Sequence, residues 1–291
     1  MGIILDPKTR VLVQGITGTQ GSFHTKLMLD YRTKVAAGTS PGKGGMEIHG
    51  VPVYDTINEA KNKHDFEASI IFVPAPFVKD AVLEALDNQI KTVVVISEHV
   101  PVKDTIYFLD YARRVGSIIV GPNTPGVIVP GECKLGIMPP QVFAKGKVGL
   151  VSRSGTLTYE IANGLTNKNI GQSTCFGIGG DPVTGLNFVD ALRMFRDDSE
   201  TEAVALIGEI GGTSEESAAE YIVREGYPKP VVAYVVGLSA PPHKRMGHAG
   251  AIVSGKAGTA KSKIEAFKKA GVQVAKKPSD VARILNQTST R

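Results

Sequence analysis

The feature that most constrains the fold is an alternation between short, almost wholly apolar runs rich in β-branched residues and longer segments of helical period. Strands buried on both faces of a parallel sheet have this composition, and the intervening segments are long enough for crossover helices. We therefore predict a doubly wound α/β sheet in the first half. Its strands are predicted at residues 11–14, 34–38, 68–73, 92–96 and 117–121, and its helices include 77–88 and 104–115.

A stretch rich in turn residues separates the two halves of the chain. Residues 121–126 read Gly-Pro-Asn-Thr-Pro-Gly, and more prolines and glycines follow without a clear period. Beyond this stretch, strands are predicted at 147–151, 172–176, 203–207 and 231–236, with helices at 158–167 and 214–224. The sequence thus predicts two α/β domains, at residues 1–130 and 131–291, and a chain of 291 residues is long enough for both.

Composition narrows the class of protein. Hydrophobic residues make up 42% of the chain and charged residues 21%, as in soluble globular proteins, and the net charge of +5 comes from scattered side chains, so we expect no nucleic-acid partner. Cys133 and Cys175 form no CxxC pair or Cys/His cluster, so we expect no disulfide framework and no metal site. No apolar run approaches the roughly 20 residues that span a bilayer, and the first residues carry no signal-peptide pattern. We expect a cytoplasmic protein without membrane contact, or a mitochondrial matrix protein if a transit peptide has been removed.

A glycine loop follows the first predicted strand directly. Residues 15–21 read Gly-Ile-Thr-Gly-Thr-Gln-Gly and lead into a helix predicted at 22–30, a layout in which unpaired backbone N–H groups attract a phosphate. The spacing is GxxGxxG, so the strict GxGxxG fingerprint of dinucleotide-binding folds is not met. After the second strand, Lys43 replaces the acidic residue that NAD-binding folds use, which favours a phosphorylated ribose, as in NADP or CoA. Residues 96–98 end a later strand, where open α/β sheets bind their ligands.

Three features of the second half favour phosphate chemistry. The backbone amides of Ser154 and Gly155 stand at a predicted helix start, where the helix dipole attracts an anion. Glu209 follows a predicted strand, and a carboxylate there can accept an imidazole N–H and fix the tautomer of the ring. His248 lies in a loop of small residues, flanked by Lys244 among other basic groups. A neutral imidazole nitrogen can collect a phosphoryl group at one site and deliver it to another.

Together these segments resemble the signatures of the succinyl-CoA synthetase alpha-subunit family, in order and over nearly the whole chain. The matching segments are residues 15–21, 41–45, 73–77, 152–160, 177–182 and 247–251. One departure is visible, because Thr124 stands where many members of the family have cysteine. Since that position is not the phosphoryl acceptor, the chemistry should survive the change.

The resemblance implies an N-terminal Rossmann-like CoA-binding domain followed by a flavodoxin-like doubly wound ligase domain. It also implies roles for individual side chains, and no metal ligand among them. Contacts with CoA would come from Thr17, Gly18, Thr19, Gln20, Lys43, Ile96, Ser97 and Glu98. His248 would be phosphorylated, Glu209 would orient it, Ser154 and Gly155 would bind phosphate, and Tyr159 would lie at the pocket of the acid substrate. Asn123 would either face the thioester or merely form its turn.

The same resemblance implies a partner, a beta subunit whose ATP-grasp domain binds ATP or GTP and Mg²⁺, in an alpha-beta or alpha2-beta2 assembly. Such a partner would explain why this sequence carries no Walker A motif. The expected reaction is the reversible formation of succinyl-CoA from succinate and CoA, a step of the tricarboxylic acid cycle, through a phosphohistidine. In the expected order, the beta subunit phosphorylates the acid, CoA attacks it, and the released phosphate passes to His248.

Three alternatives remain open on the sequence. The small subunit of malate-CoA ligase shares these signatures, so the acid could be malate. A CoA-sensing or dinucleotide-binding regulatory protein would explain the first half but leave His248 and Glu209 without a purpose. An NADP-linked oxidoreductase would bind nicotinamide at residues 15–21, and competition between NADPH and CoA would distinguish it.

Overall fold

The computed structural model describes residues 3–241, 245–253 and 258–288, which form two α/β units. Lys244, predicted to flank the histidine loop, lies outside these residues. The strands of the first unit are β1 (Arg10–Gln14), β2 (Lys34–Thr39), β3 (Glu47–Ile48), β4 (Val51–Tyr54), β5 (Ala68–Ile71), β6 (Thr92–Val95) and β7 (Ile118–Val120). Its helices are α1 (Thr19–Asp30), α2 (Ile57–Lys61), α3 (Val78–Asp87) and α4 (Val102–Val115).

The second unit follows the same alternation of strands and helices. Its strands are β8 (Gly126–Val129), β9 (Cys133–Gly136), β10 (Lys145–Ser152), β11 (Gln172–Gly177), β12 (Ala203–Glu209), β13 (Val231–Val236) and β14 (Gln273–Ala275). Its helices are α5 (Gly155–Thr166), α6 (Phe188–Asp197), α7 (Ser214–Glu225), α8 (Ala260–Lys269) and α9 (Pro278–Thr288).

The first sheet has the order β3-β4-β2-β1-β5-β6-β7 and is parallel except for the antiparallel pair β3–β4. Its central strands are apolar on both sides because helices cover both faces. Met28 of α1 packs with Val11 and Val13 on one face, whereas Val82 of α3 and Phe108 of α4 pack with the opposite face. This is the doubly wound arrangement predicted from the sequence.

The second sheet has the order β14-β13-β12-β10-β11-β8-β9, with β8 antiparallel to both of its neighbours. Helices α5 and α9 pack on one face, and α6, α7 and α8 pack on the other. The neighbouring strands β10 and β12 therefore send their following helices, α5 and α7, to opposite faces. A crevice opens where a sheet changes direction in this way, and ligands of open α/β sheets bind there.

The hairpin β8–β9 joins the two units. Val127 of β8 and Leu135 of β9 share a hydrophobic core with Met28 of α1. Thr33 Oγ1 donates a hydrogen bond of 2.6 Å to the carbonyl of Lys134, which lies in β9. The two sheets are thus held against each other through α1.

The predicted fold class is confirmed, and every strand and helix predicted from the sequence coincides with an observed element. The predicted division after residue 130 separates β8 from its hairpin partner β9, and by sheet membership the second unit begins at Gly126. Several observed elements were not predicted from the sequence, namely α2, β3, β4, β8, β9, α6, α8, β14 and α9. In the part of the chain that the structure describes, no helix is both long enough and apolar enough to cross a bilayer.

One local prediction from the sequence is wrong. The spacing of Thr213 and Glu216 predicts a capping box at the start of α7, but in the described part of the chain the Thr213 side chain makes no capping hydrogen bond. The Glu216 carboxylate instead accepts hydrogen bonds from Ser262 at 2.9 Å and Lys263 at 3.2 Å, both in α8. Glu216 thus contributes to the packing of α7 against α8, and its carboxylate does not cap its own helix.

Candidate active site

His248 lies against a buried carboxylate at the crevice between β10 and β12. Its Nδ1 atom is 2.9 Å from Glu209 Oε2 and 3.1 Å from Oε1, and Glu209, the last residue of β12, is 4% exposed. An ionised carboxylate only accepts hydrogen bonds, so Nδ1 carries a proton in this contact. When the ring is neutral, Nε2 therefore keeps its lone pair and is the nitrogen that can act as a nucleophile.

Charged neighbours act in opposite directions on the protonation of His248. The hydrogen bond with Glu209 raises the pKa of His248, and the charge of Asp181 raises it further. Burial and the charge of Arg153 lower this pKa. The net result is a pKa above the ordinary value of 6.5. Arg153 is itself buried, and its Nη2 atom lies 3.5 Å from Glu209 Oε1. The Nε2 lone pair therefore becomes available as the pH rises through this raised pKa.

Backbone hydrogen bonds connect the His248 loop to the first unit. The amide of Asn123 donates to the carbonyl of Ser97 at 3.0 Å, and the amide of Gly180 donates to the carbonyl of Asn123 at 3.3 Å. The amide of Gly250 then donates to the carbonyl of Gly180 at 3.0 Å. The imidazole lies over Gly180, where an added Cβ would come within 2.4 Å of the His248 Cγ atom. A side chain at position 180 would thus displace His248.

A cleft of about 490 Å³ opens between the two units beside His248. Its lining includes predicted site residues from the first half of the chain and from the second. The predicted site residues that line it are Gln20, Ile96, Ser97, Glu98, Asn123, Gly155, Tyr159 and His248. The predicted CoA residues Thr17, Gly18, Thr19 and Lys43 lie outside this lining.

The glycine loop presents the start of α1 without a cap. Gly18 is the residue before the helix, no side-chain cap is present among the residues that the structure describes, and the first turn contains no acidic residue. Gly15 has φ +79°, and a Cβ added at Gly21 would lie 2.1 Å from the Gly15 carbonyl oxygen. The glycines thus let the loop fold closely onto the helix, and the uncapped N–H groups of the first turn suit an anionic oxygen.

A second loop is fastened to the glycine loop. Thr17 Oγ1 donates a hydrogen bond of 2.9 Å to Ser40 Oγ, at the start of the turn that carries Lys43. Asp55 holds the same turn by accepting the Gly44 amide at 2.8 Å. The exposed Lys43 side chain is thus presented beside the glycine loop, where its ammonium group fits a phosphate ligand.

The predicted phosphate site at the start of α5 is built differently from the prediction. The Ser154 amide donates to Ser152 Oγ at 3.0 Å, and the Ser154 hydroxyl caps the helix by accepting from the Leu157 amide at 3.4 Å. Binding of phosphate by the Ser154 amide would therefore require an internal hydrogen bond to open. Gly155 lines the cleft and is the better placed of the two predicted residues.

Two hydroxyl groups of the cleft have different functions. Burial raises the pKa of Tyr159 to about 12, so its phenol remains a neutral hydrogen-bonding group. Thr124 Oγ1 donates to the Gly177 carbonyl at 2.6 Å and accepts from the Gly126 amide at 3.0 Å. Thr124 thus fastens its turn to the end of β11, and its hydroxyl is already engaged on both sides.

Known proteins match both units. Residues 6–99 match the family described as CoA binding domain, and residues 151–273 match the CoA-ligase family. Alpha subunit 2 of the ADP-forming succinate–CoA ligase of Archaeoglobus fulgidus is 58% identical over 285 residues, 98% of this chain and 99% of that protein. The chain belongs to the succinate–CoA ligase alpha-subunit family. Members from Methanothermobacter thermautotrophicus and Aquifex aeolicus are 58% and 56% identical, covering 96% and 98% of this chain and 94% of each relative.

Solved structures contain the fold of this chain within a longer enzyme. ATP citrate lyase from Methanothrix soehngenii, in complex with citrate and coenzyme A, superposes with a TM-score of 0.88 at 25% identity. The lyase from Methanosaeta concilii, in complex with (3S)-citryl-CoA, gives 0.89 at 25% identity. Each match covers 100% of this chain, which spans 52% of the lyase chain.

Two charged residues of the candidate site were not predicted from the sequence. Arg153 and Asp181 both lie within segments that carry the family resemblance, but nothing in their spacing indicates a contact. In the structure, Asp181 accepts a hydrogen bond of 3.0 Å from Asn123 Nδ2 and acts on the charge of His248. A charged residue directly after the buried end of a strand, as Arg153 is after β10, was the available signal.

Proposed function

We propose that this chain is the alpha subunit of an ADP-forming succinate–CoA ligase and that it carries the phosphoryl group on His248. One observation supports this proposal above the others: the imidazole contacts buried Glu209 and also lines the cleft that holds predicted CoA residues. Relatives that match almost the whole chain at 56% to 58% identity bear the name of that enzyme. Their names favour succinate over malate as the acid, and ATP over GTP as the nucleotide.

The proposed reaction transfers the phosphoryl group twice, first onto Nε2 of His248 and then from Nε2 to the acid. Nε2 attacks the γ-phosphorus of ATP, the N–P bond forms, and the bond to the departing ADP oxygen breaks. Nε2 is then displaced by a carboxylate oxygen of succinate, which gives an acyl phosphate. Attack of the CoA thiol on the acyl carbon forms the thioester and releases phosphate, which takes up the thiol proton. Reversal of these steps makes ATP.

This order replaces the one expected from the sequence, in which released phosphate passes to His248. Inorganic phosphate has no activated bond, so it cannot phosphorylate an imidazole unless the free energy of the thioester is consumed at the same time. In the direction of thioester synthesis, His248 must therefore be phosphorylated before the acid is.

Each predicted site residue has a part in this scheme. Glu209 holds the Nδ1 proton and stabilises positive charge on the ring while Nε2 bears the phosphoryl group. Gly155, at the start of α5, faces the cleft and would receive phosphate, with Ser154 beside it. The acid would lie near Tyr159 and Asn123. CoA would extend from Ile96, Ser97 and Glu98 towards the glycine loop, with its phosphates near Thr17, Gly18, Thr19, Gln20 and Lys43.

The nucleotide is assigned to a partner. We infer that ATP and Mg²⁺ bind to a beta subunit with an ATP-grasp domain, in an alpha-beta or alpha2-beta2 assembly. The designation of the relatives as alpha subunits supports a heteromer. A cytoplasmic location stays a prediction from the sequence.

Two measurements test the proposed function. The isolated chain should bind CoA in calorimetry, and excess NADPH should not displace it; displacement would favour the oxidoreductase alternative. Co-expressed with a beta subunit of the family, the chain should form a thioester from CoA, ATP and succinate faster than from malate. Equal or higher turnover with malate would overturn the choice of acid.

A further inference from the structure

Arg153 occupies a central position behind the His248–Glu209 pair. Its side chain is 8% exposed, and its Nη1 atom lies 3.2 Å from the Glu209 carbonyl oxygen, 2.8 Å from the Gly211 carbonyl oxygen and 3.2 Å from Glu215 Oε1. Its Nη2 atom faces the Glu209 carboxylate at 3.5 Å. One guanidinium therefore contacts both the backbone and the side chain of Glu209.

The turn at Gly211, whose carbonyl oxygen accepts a hydrogen bond from Arg153, also packs against the His248 loop. Gly211 has φ +89°, and a Cβ added there would lie 1.9 Å from the Gly250 carbonyl oxygen, two residues after His248. A Cβ added at Gly250 would come within 3.1 Å of Arg153 Nη2. The backbones of Gly211 and Gly250 are in close contact with each other and with the guanidinium. A shift of Arg153 would therefore displace both Glu209 and the histidine loop.

Buried charges anchor Arg153 from the rear. Glu215 of α7 is fully buried and accepts from the Glu209 amide at 3.0 Å with the same oxygen that contacts Arg153. Its other carboxylate oxygen is paired with Lys263 of α8, which is also fully buried and donates to the Gly212 carbonyl at 3.0 Å. Each charge in this group has a partner of opposite sign, as buried ions require.

We propose that Arg153 is a positioning residue for the phosphoryl acceptor: its planar guanidinium fixes the end of β12 so that the Glu209 carboxylate stays on the Nδ1 side of His248. This inference rests on the proposed function of His248, although it concerns contacts within this chain alone. Because the ring is held by Nδ1, its Nε2 atom stays directed away from Glu209 and available for phosphoryl transfer.

The shape of the guanidinium matters in this proposal, and not only its charge. A lysine ammonium would preserve the positive charge but is a single point, so it cannot face the Glu209 carboxylate while also meeting three acceptors on the other side. Among the described residues, the charged groups that act on the imidazole are Glu209, Arg153 and Asp181. Arg153→Lys leaves the charge of all three unchanged, so it separates position from electrostatics.

The test is ¹⁵N NMR of the histidine rings in the full-length chain, with His248 assigned by comparison with His248→Asn. In the wild type we expect a protonated Nδ1, an unprotonated Nε2 and a titration midpoint above 6.5. In Arg153→Lys we expect a mixture of tautomers and a midpoint closer to 6.5. Arg193→Lys is the matched control, because Arg193 lines the same surface cavity as Arg153 but is 55% exposed and lies 3.8 Å from Asp190.

The wild-type tautomer and midpoint retained in Arg153→Lys would overturn the proposal. If that variant does not fold, Glu215→Gln provides the second test, because it keeps Arg153 but removes one charge that holds it. In Glu215→Gln we expect His248 to show a mixture of tautomers, with less of the second tautomer than in Arg153→Lys. A wild-type tautomer and midpoint of His248 in Glu215→Gln would contradict the proposal.

A second readout is phosphoryl loading of His248 in the complex with the beta subunit. Displacement of a reacting group by about 1 Å can cost on the order of 10²-fold in rate, and we expect a loss of that order in Arg153→Lys but none in Arg193→Lys. If even the wild type is not loaded, the proposed function fails. The NMR result still decides the role of Arg153, since it needs neither nucleotide nor partner.

Discussion

The glycine loop and the His248 site are both suited to phosphate, but they are built in opposite ways. The glycine loop uses backbone N–H groups at an uncapped helix start, with exposed Lys43 on the adjoining turn. The His248 site uses buried charged side chains, because Glu209 and Arg153 are 4% and 7% exposed. The first arrangement suits a part of a ligand that the reaction leaves unchanged, such as the phosphates of CoA, whereas the second suits a group whose protonation and nucleophilicity must be controlled.

The difference also implies that binding and chemistry can be separated by mutation. The hydrogen bond from Thr17 of the glycine loop reaches Ser40, 23 positions along the sequence, whereas Arg153 and Glu209 contact each other across 56 positions. A change in one region should therefore affect CoA affinity, and a change in the other should affect phosphoryl transfer.

The largest separation is expected for His248→Asn. Loss of the nucleophile should reduce thioester formation by a factor on the order of 10³ or more, since no other group can take its place. CoA affinity, measured by calorimetry, should remain nearly unchanged. Loss of both properties in a folded variant would contradict the division between the two regions.

Glu209→Gln tests the control of charge at the second region. The wild-type loading rate of His248 should fall as the pH drops through its pKa, which lies above 6.5, because the protonated ring has no lone pair at Nε2. Without the carboxylate, the midpoint should move down towards 6.5, and the plateau rate should fall by about 10²-fold. The measurement is the loading rate between pH 5 and 9.

The control for this prediction is Glu202→Gln, which removes an exposed carboxylate that is paired with Lys147. Glu202 is not among the groups that act on the pKa of His248. Its profile should match that of the wild type. A midpoint that stays in place in Glu209→Gln would show that Glu209 does not set the protonation of His248.

Gly21→Ala tests the first region. The added Cβ would lie 2.1 Å from the Gly15 carbonyl oxygen, so the loop must open. Overpacking of this kind costs about 1–3 kcal/mol. If the strain exists only in the loop conformation that binds CoA, it should weaken CoA binding by roughly 5- to 150-fold. Phosphoryl loading of His248 by ATP should persist.

Gly164→Ala is the matched control, because Gly164 lies inside α5 and no atom would meet its added Cβ within 4 Å. Alanine there should keep CoA affinity and stabilise the helix slightly. Equal CoA affinity in Gly21→Ala and Gly164→Ala would argue against the glycine loop as the CoA phosphate site.

A change in the turn between the two regions should affect stability. Thr124→Val removes a hydroxyl that both donates and accepts a hydrogen bond, so the free energy of unfolding should fall by about 1–3 kcal/mol. Thr174→Val should be nearly neutral, because Thr174 Oγ1 is buried without a hydrogen-bond partner among the described residues. Urea unfolding of the two variants gives the comparison, and equal losses would show that the Thr124 hydroxyl does not fasten the turn.

The two regions also differ in how far the sequence predicts them. The strands, the glycine loop and the crossover helices follow from local periodicity and glycine spacing, so the fold class and the start of α1 could be predicted within a few residues. The hairpin β8–β9 was missed because its residues include the turn-rich segment, and its strands are defined by pairing with β11 and packing on α1.

The charged contacts of the second region are beyond sequence reasoning without a resemblance. Glu209 could be singled out by its position at the end of a predicted strand, and His248 by its loop of small residues. The contacts of Arg153 with Glu209, and of Asn123 with Asp181, join residues 56 and 58 positions apart. No local pattern encodes such pairs, because they depend on which strands become neighbours in the sheet.

The most direct test of the central claim is intact-mass and peptide mass spectrometry of the chain co-expressed with a beta subunit, after addition of Mg²⁺ and ATP. We expect acid-labile phosphate on His248, absent in His248→Asn and discharged when succinate and CoA are added. A folded complex that leaves His248 unmodified, or a phosphate that succinate and CoA do not remove, would contradict the claim that this histidine carries the phosphoryl group.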